Sequence, residues 1–270
     1  DPPALGNKKP IALILLDFGQ STKASNSALR ALPGDITLAL APYSRQLDDW
    51  RRKARLEGHE VLLTLPSETK NYPLDDSGLH TLIIEAPKRD NLTKYMDILK
   101  RTTGYIGVIP SYDSIFTLKT SDFRPIFSDI SSRGLGLISA GPVHNPLIEQ
   151  SAGARAMPYA ESNLLIDEVE RQDAILQQLR KLENIANTEG QAIGLFRPLP
   201  VSYNTILEWQ KSLSDRGFAL APVSYIAQKN LEAAAMREQN KKRNDTRSDK
   251  PKNNQTNVKQ QTQIDTNENV

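Results

Sequence analysis

The run Ile11-Ala12-Leu13-Ile14-Leu15-Leu16 is apolar without alternation, and it ends on Asp17-Phe18-Gly19. A strand with one wet face alternates apolar and polar residues. A strand covered on both faces is apolar throughout, so this stretch predicts an inner strand of a parallel sheet. Parallel α/β folds gather ligands and reacting groups at the carboxyl ends of their strands. That rule makes Asp17 the first candidate for chemistry.

The rest of the chain repeats the pattern. Strands are expected at Ile36–Leu40, Glu60–Leu65, Tyr105–Ile109, Leu135–Ile138, Gln191–Phe196 and Phe218–Val223. Helical spacing falls between them, at Ser44–Leu56, Pro87–Leu99, Phe123–Ile130, Asp167–Asn187 and Tyr203–Leu213. The longest of these helices is expected to bury Val169, Ile175, Leu176, Leu179, Leu182, Ile185 and Ala186. Strand–helix alternation predicts a mostly parallel α/β sheet, either a barrel or doubly wound. The polar loop Ser67–His80 is long for such a fold and reads as a wall of a binding groove. Ser139–Ser162, with Pro142, Pro146 and Pro158, reads as irregular.

Residues 1–8 read as a flexible leader and 9–228 as one domain. Residues 229–270 read as a short helical extension, Leu231–Met236, and then a polar tail with too little apolar surface to offset its ordering entropy. Lys241-Lys242-Arg243 lies among acids and reads as solvated tail.

Composition removes several functions. The formal net charge of +2 calls for neither a nucleic-acid nor a membrane partner, and the lack of cysteine excludes disulfides, thiolate zinc sites and a cysteine nucleophile. No apolar run approaches the ~20 residues that span a bilayer. The chain starts at Asp1, which reads as a mature or truncated form that has lost an export signal or anchor. No Gly-Lys pair exists to build a P-loop. Gly134-Leu135-Gly136 precedes a strand instead of following one, so it is no dinucleotide fingerprint. Ser139 sits in a near miss of a nucleophile elbow, between Gly136 and Gly141 with one residue too many before it. His59, His80 and His144 are too widely spaced to pair on one face as metal ligands. The residues alone therefore leave one well-placed carboxylate. Asp17 is a general base, a binding group or the cap of a helix starting near Ser21.

The order of segments resembles the divergent polysaccharide deacetylase family. The stretches that carry the resemblance are Ile11–Leu16, Leu32-Pro33-Gly34, Gly58-His59-Glu60-Val61-Leu62-Leu63, Leu65-Pro66, Gly107-Val108, Ala192-Ile193-Gly194 and Pro222-Val223-Ser224. The resemblance spans Pro10 to Ser224 and implies a distorted (β/α)7-type barrel, mostly parallel, as one domain plus a tail. It also implies a role with carbohydrate in the bacterial cell envelope or periplasm. Partners would be peptidoglycan, another envelope glycan, or an envelope protein such as those controlling murein hydrolysis.

The family's chemical residues are largely replaced. Members that look active end the first strand in Asp-Asp, base then metal ligand; here the pair is Asp17-Phe18. A histidine of the third strand becomes Thr64, while Glu68 survives. An Asn-Asn-His-Met-Gly-Ser motif becomes Ile109-Pro110-Ser111-Tyr112-Asp113-Ser114, an Asp-Ser becomes Ser139-Ala140, and a Gly-His-Pro becomes Phe196-Arg197-Pro198. A hydrolytic zinc site needs about three nitrogen or oxygen ligands and an open position. The resemblance thus implies a lost metal site, no cofactor, and a pseudoenzyme that binds through the old groove. Asp17, Glu68, Ser111, Tyr112, Asp113, Ser139 and Arg197 would line that groove, with Tyr43 and Tyr72 as flat surfaces for sugar rings. The alternative is a hydrolase with an altered site, Asp17 serving as base and Arg197 or backbone amides stabilising the oxyanion.

Overall fold

The computed structural model describes residues 5–141 and 145–248. Strands and helices alternate as β1 (Lys9–Phe18), α1 (Thr22–Ala31), β2 (Thr37–Leu40), α2 (Leu47–Leu56), β3 (Val61–Leu65), α3 (Lys88–Leu99), β4 (Gly107–Pro110), α4 (Thr120–Ser132) and β5 (Gly136–Ser139). They continue as α5 (Pro146–Ala154), β6 (Tyr159–Glu161), β7 (Leu164–Leu165), α6 (Gln172–Glu189), β8 (Ala192–Phe196), α7 (Pro200–Gln210), β9 (Phe218–Leu220) and α8 (Val223–Ser248).

All strand pairs are parallel, in the order β6-β5-β4-β3-β2-β1-β8-β7. The two ends of that row are one stretch of chain. Tyr159–Glu161 pairs with β5, and three residues later Leu164 and Leu165 pair with β8. The sheet therefore curls into a distorted barrel whose seven staves are β1 to β5, the bent β6–β7 segment and β8. β9 adds to the amino end of β1, opposite Lys9–Ile11.

The first strand shows why no polar residue interrupts it. Ile11, Leu13 and Leu15 pack outward under the helices, whereas Ala12, Ile14 and Leu16 pack inward with Ala39, Leu62, Ile109, Ile138 and Ile193. Val223, Ile226 and Ala227 join the inner cluster, so the first turns of α8 plug the amino end of the barrel. That plug is fastened to the wall. Glu60 accepts bonds from both the Ser224 amide (3.2 Å) and its hydroxyl, and Thr37 Oγ1 accepts from the Val223 amide at 3.1 Å.

Close strand approach fixes one residue type. A Cβ on Gly107 would lie 2.5 Å from the Gly136 carbonyl oxygen, a backbone atom that cannot swing aside. Gly107→Ala is expected to cost about 2 kcal/mol as an overpacking defect, read as a lower denaturant midpoint at unchanged slope.

Several expectations change in the structure. Val169 is 53% exposed instead of buried, because α6 begins only at Gln172 and Asp167–Arg171 is loop. The stretch read as irregular holds α5, which starts at an Asn145 cap accepting from Leu147 N–H followed by Pro146, and the closing strands β6 and β7. The leader is anchored where it is described: Leu5 is buried, and Lys8 donates to Ser214 Oγ at 2.5 Å. Packing divides the chain after Ala235. In the C-terminal unit α8 continues to Ser248, twelve residues past Met236, because Glu, Gln, Lys and Arg are good helix formers even without an apolar face. The rest of the predicted polar tail, 249–270, lies outside the described residues. No helix among those described is long and apolar enough to cross a membrane.

Candidate functional site

Asp17 near the end of β1, Tyr112-Asp113 after β4 and Arg197 after β8 all lie at carboxyl ends of strands, at the barrel mouth. β1 is bulged there. Its register against β2 shifts between Leu15 and Phe18, and Asp17 takes a left-handed φ of 55°. The bulge turns the Asp17 carboxylate to the solvent at the mouth and sends Phe18 outward into the core, where its ring meets Trp50 edge-on at 5.7 Å. Asp17 does not cap the next helix, since Ser21 does, accepting from the Ala24 amide at 3.4 Å.

Although its tip reaches solvent, Asp17 is surrounded by protein atoms. Burial pushes its pKa up, and the nearby Arg197 charge partly opposes the shift. A carboxylate with a raised folded-state pKa favours the fold while protonated and loses that contribution as pH rises through the raised value. Asp17→Asn, which also suits the left-handed backbone, is therefore expected to fold and to be slightly more stable than the parent at neutral pH. The gain disappears on acidification below the ordinary carboxylate range, as thermal melts across pH will read.

Arg197 is held by Asp167, the residue at which the sequence predicts the start of the long helix. Asp167 is fully buried; it accepts from the Arg197 amide (2.7 Å) and the Ser202 hydroxyl (2.7 Å) on Oδ2, and from Arg197 Nε (3.5 Å) on Oδ1. Its carbonyl takes the Arg197 Nη2, and Glu170 lies 3.3 Å from Nη1. A signal for Asp167 was present. Leu164-Leu165-Ile166-Asp167 repeats the apolar-run-then-carboxylate pattern of Leu15-Leu16-Asp17.

Across the mouth, Tyr112 packs against the inner cluster with its phenol pKa raised, by burial first and then by Glu168 and Asp113. Asp113, at a left-handed φ of 57°, pairs with Lys70 Nζ at 3.1 Å without the alignment of a hydrogen bond. Asp17, Tyr112, Asp113 and Arg197 thus share the mouth with Glu168 and Glu170.

Glu68, Ser111 and Ser139 sit differently. Glu68 Oε2 accepts from the Ile84 amide at 2.7 Å and secures the long loop. Ser111 Oγ accepts from the Ser67 amide (3.2 Å) and contacts Ser77 Oγ (3.0 Å), tying the same loop over β4. Ser139 alternates with the inward Ile138 and Ala140 and lies against Tyr159 of the outer core, away from the mouth.

The loop is a built wall. Thr69 donates to Asp75 (2.5 Å), and Asp76 accepts from the Gly78 amide (3.0 Å) and the Thr81 hydroxyl (2.7 Å). Tyr43 anchors it: its phenol accepts from the His80 amide at 2.8 Å, and its ring stacks on His80 at 6.0 Å with Arg101 5.7 Å away. Those contacts make Tyr43 an anchor of the loop, with 38% of its surface still exposed. Tyr72 is half-buried in the same loop. His59 is buried, its Nδ1 2.7 Å from the Ile36 carbonyl and its pKa lowered by burial. His144 lies outside the described residues.

The residues at the family's metal positions do not fit a divalent cation. Phe18 is hydrocarbon in the core, and Thr64 offers a buried hydroxyl without a partner among the described residues. The Ser111 hydroxyl is spent on the loop, and Arg197 brings positive charge. Among the described residues no three His, Asp or Glu side chains converge to hold a metal ion.

Fold and mouth together define a parallel (β/α)-barrel protein with its polar side chains at the carboxyl ends of the staves. The chain belongs to the divergent polysaccharide deacetylase family, whose sequence profile matches residues 13–227. A crystal structure of the Agrobacterium tumefaciens C58 protein ATU2773 is 31% identical, covering 83% of this chain and 92% of that one with a TM-score of 0.78. The YibQ protein of Escherichia coli (strain K12) is 21% identical over 206 residues, 76% of this chain and 62% of YibQ. A Haemophilus influenzae protein is 23% identical over 213 residues, 75% of this chain and 70% of its own length. This chain therefore spans less than two thirds of YibQ.

Proposed function

We propose that the protein binds an envelope glycan, peptidoglycan being the first candidate, through the barrel mouth in the bacterial cell envelope, without metal-dependent hydrolysis. The observation that carries this reading is the use of side chains at the mouth. The positions that hold metal in active relatives are turned to packing, loop fastening or positive charge. Asp17, Tyr112 and the outer edge of Arg197 stay open, as hydrogen-bonding groups beside an aromatic ring. The purified protein should sediment with isolated peptidoglycan, and Tyr112→Ala or Arg197→Ala should weaken retention by about tenfold, the worth of one charged hydrogen bond. Failure to retain either peptidoglycan or a soluble envelope polysaccharide removes the proposal.

A second reading has one observation in its favour, the pairing of a carboxylate whose pKa is raised by burial with a cation. In that reading Asp17 takes a proton from water and Arg197 faces the oxyanion. Acetate release from acetylated amino-sugar oligomers, with and without added metal, would then fall in Asp17→Asn. Equal release by both proteins eliminates it.

A further inference from the structure

We propose that the barrel carries a second binding site, at the end opposite Asp17, for a small amphiphile with an apolar body and an ammonium head. The site is a cavity of about 580 Å³ between the plug helix α8 and the β3–β6 wall, within the size range of small-molecule pockets. Its apolar lining includes Leu62, Ile106, Ile138, Pro158, Val223 and Ala227. Ile138 points inward next to a stave position, Gly136, that has no side chain. A Cβ on Gly136 would meet only ordinary contacts, 3.5 Å and beyond, so the glycine is not required by the backbone and leaves space unfilled.

Charge selects the head group. Two carboxylates, Glu60 and Glu232, line the cavity with one cation, Lys229. The Lys229 ammonium lies 3.5 Å from the Gly190 carbonyl, while Glu232 takes the Gln228 side-chain amide at 3.4 Å and Glu60 the Ser224 cap. With two carboxylates against one ammonium the lining is net negative, which favours an ammonium head over a carboxylate. The site shares no lining residue with the mouth, and it stands or falls separately from the glycan reading.

The probe is n-octylamine, protonated at neutral pH, with octanoate and octanol as comparators. The readout is methyl NMR of the full chain labelled at Ile, Leu and Val. Octylammonium should give saturable shifts confined to Leu62, Ile106, Ile138 and Val223, with octanoate binding more weakly. Gly136→Val fills the cavity and should abolish the shifts. Glu232→Gln, on the exposed face of α8, should weaken octylammonium about threefold, the scale of one exposed charge, and leave octanol unchanged. The proposal is overturned by octylammonium that does not saturate these methyls, by octanoate binding as tightly, by shifts that survive Gly136→Val in a folded protein, or by indifference to Glu232→Gln.

Discussion

Phe18→Asp, the substitution that rewrites the family's Asp-Asp pair, is expected to unfold the protein and not to restore a metal ligand. Phe18 is fully buried, with its ring edge-on to Trp50. The bulge at Leu16-Asp17 is what puts it there. Plain alternation after the inward Ala12, Ile14 and Leu16 would aim residue 18 into the barrel, but the register shift delivers it to the outer core. Removing the ring alone costs about 3–5 kcal/mol, and a carboxylate left among the apolar side chains of the outer core adds several more. The sum is comparable to the whole stability of a domain. Phe18→Leu, which keeps an apolar side chain, is expected to lose only about 1–2 kcal/mol. Circular dichroism and denaturant melts of the two variants decide the matter. A folded Phe18→Asp protein whose melting temperature rises with zinc would sink the argument.

The same bulge marks where sequence reading reaches its limit. The apolar run announced a doubly covered strand, and the structure shows both faces packed. Long apolar segments are legible because burial on both sides leaves no polar position to confuse the period. Side-chain direction after Leu16 was not legible, since one residue in a left-handed conformation reverses every later side chain. The closing strands were missed for a related reason. Tyr159–Glu161 and Leu164–Leu165 are too short for periodicity, and they are extended because β5 and β8 supply partners from distant sequence. Ser139 illustrates the cost of placing a residue by motif alone. Its neighbours Ile138 and Ala140 face the barrel interior, so the serine between them faces away. Asp167 was hidden by the acidic, helix-like composition that follows it, although the apolar run before it carried the same signal as the run before Asp17.

Asp167→Ala is the other substitution with a large expected effect, and it joins stability to function. The carboxylate is fully buried and serves the Arg197 amide, the Arg197 guanidinium and the Ser202 hydroxyl. Truncation takes this partner from the Arg197 amide and the Ser202 hydroxyl and leaves the guanidinium with the residue-167 carbonyl and Glu170. Breaking a buried ion pair costs about 3–5 kcal/mol, and because Arg197 is itself 34% exposed, with Glu170 nearby, the lower end applies. At about 3 kcal/mol the melting temperature should fall by roughly 6–12 °C. Asp167→Asn should lose nearly as much, since its amide nitrogen turns a donor toward donors. Ser202→Ala removes a single bond and should cost about 1 kcal/mol. The functional consequence follows from geometry. Without the Asp167 carboxylate the guanidinium is held only by the residue-167 carbonyl and Glu170, so glycan retention, measured where the variant is still folded, should fall toward the level of Arg197→Ala. Retention at the parental level in a destabilised Asp167→Ala protein would confine Asp167 to a purely structural role and detach Arg197 from the binding surface.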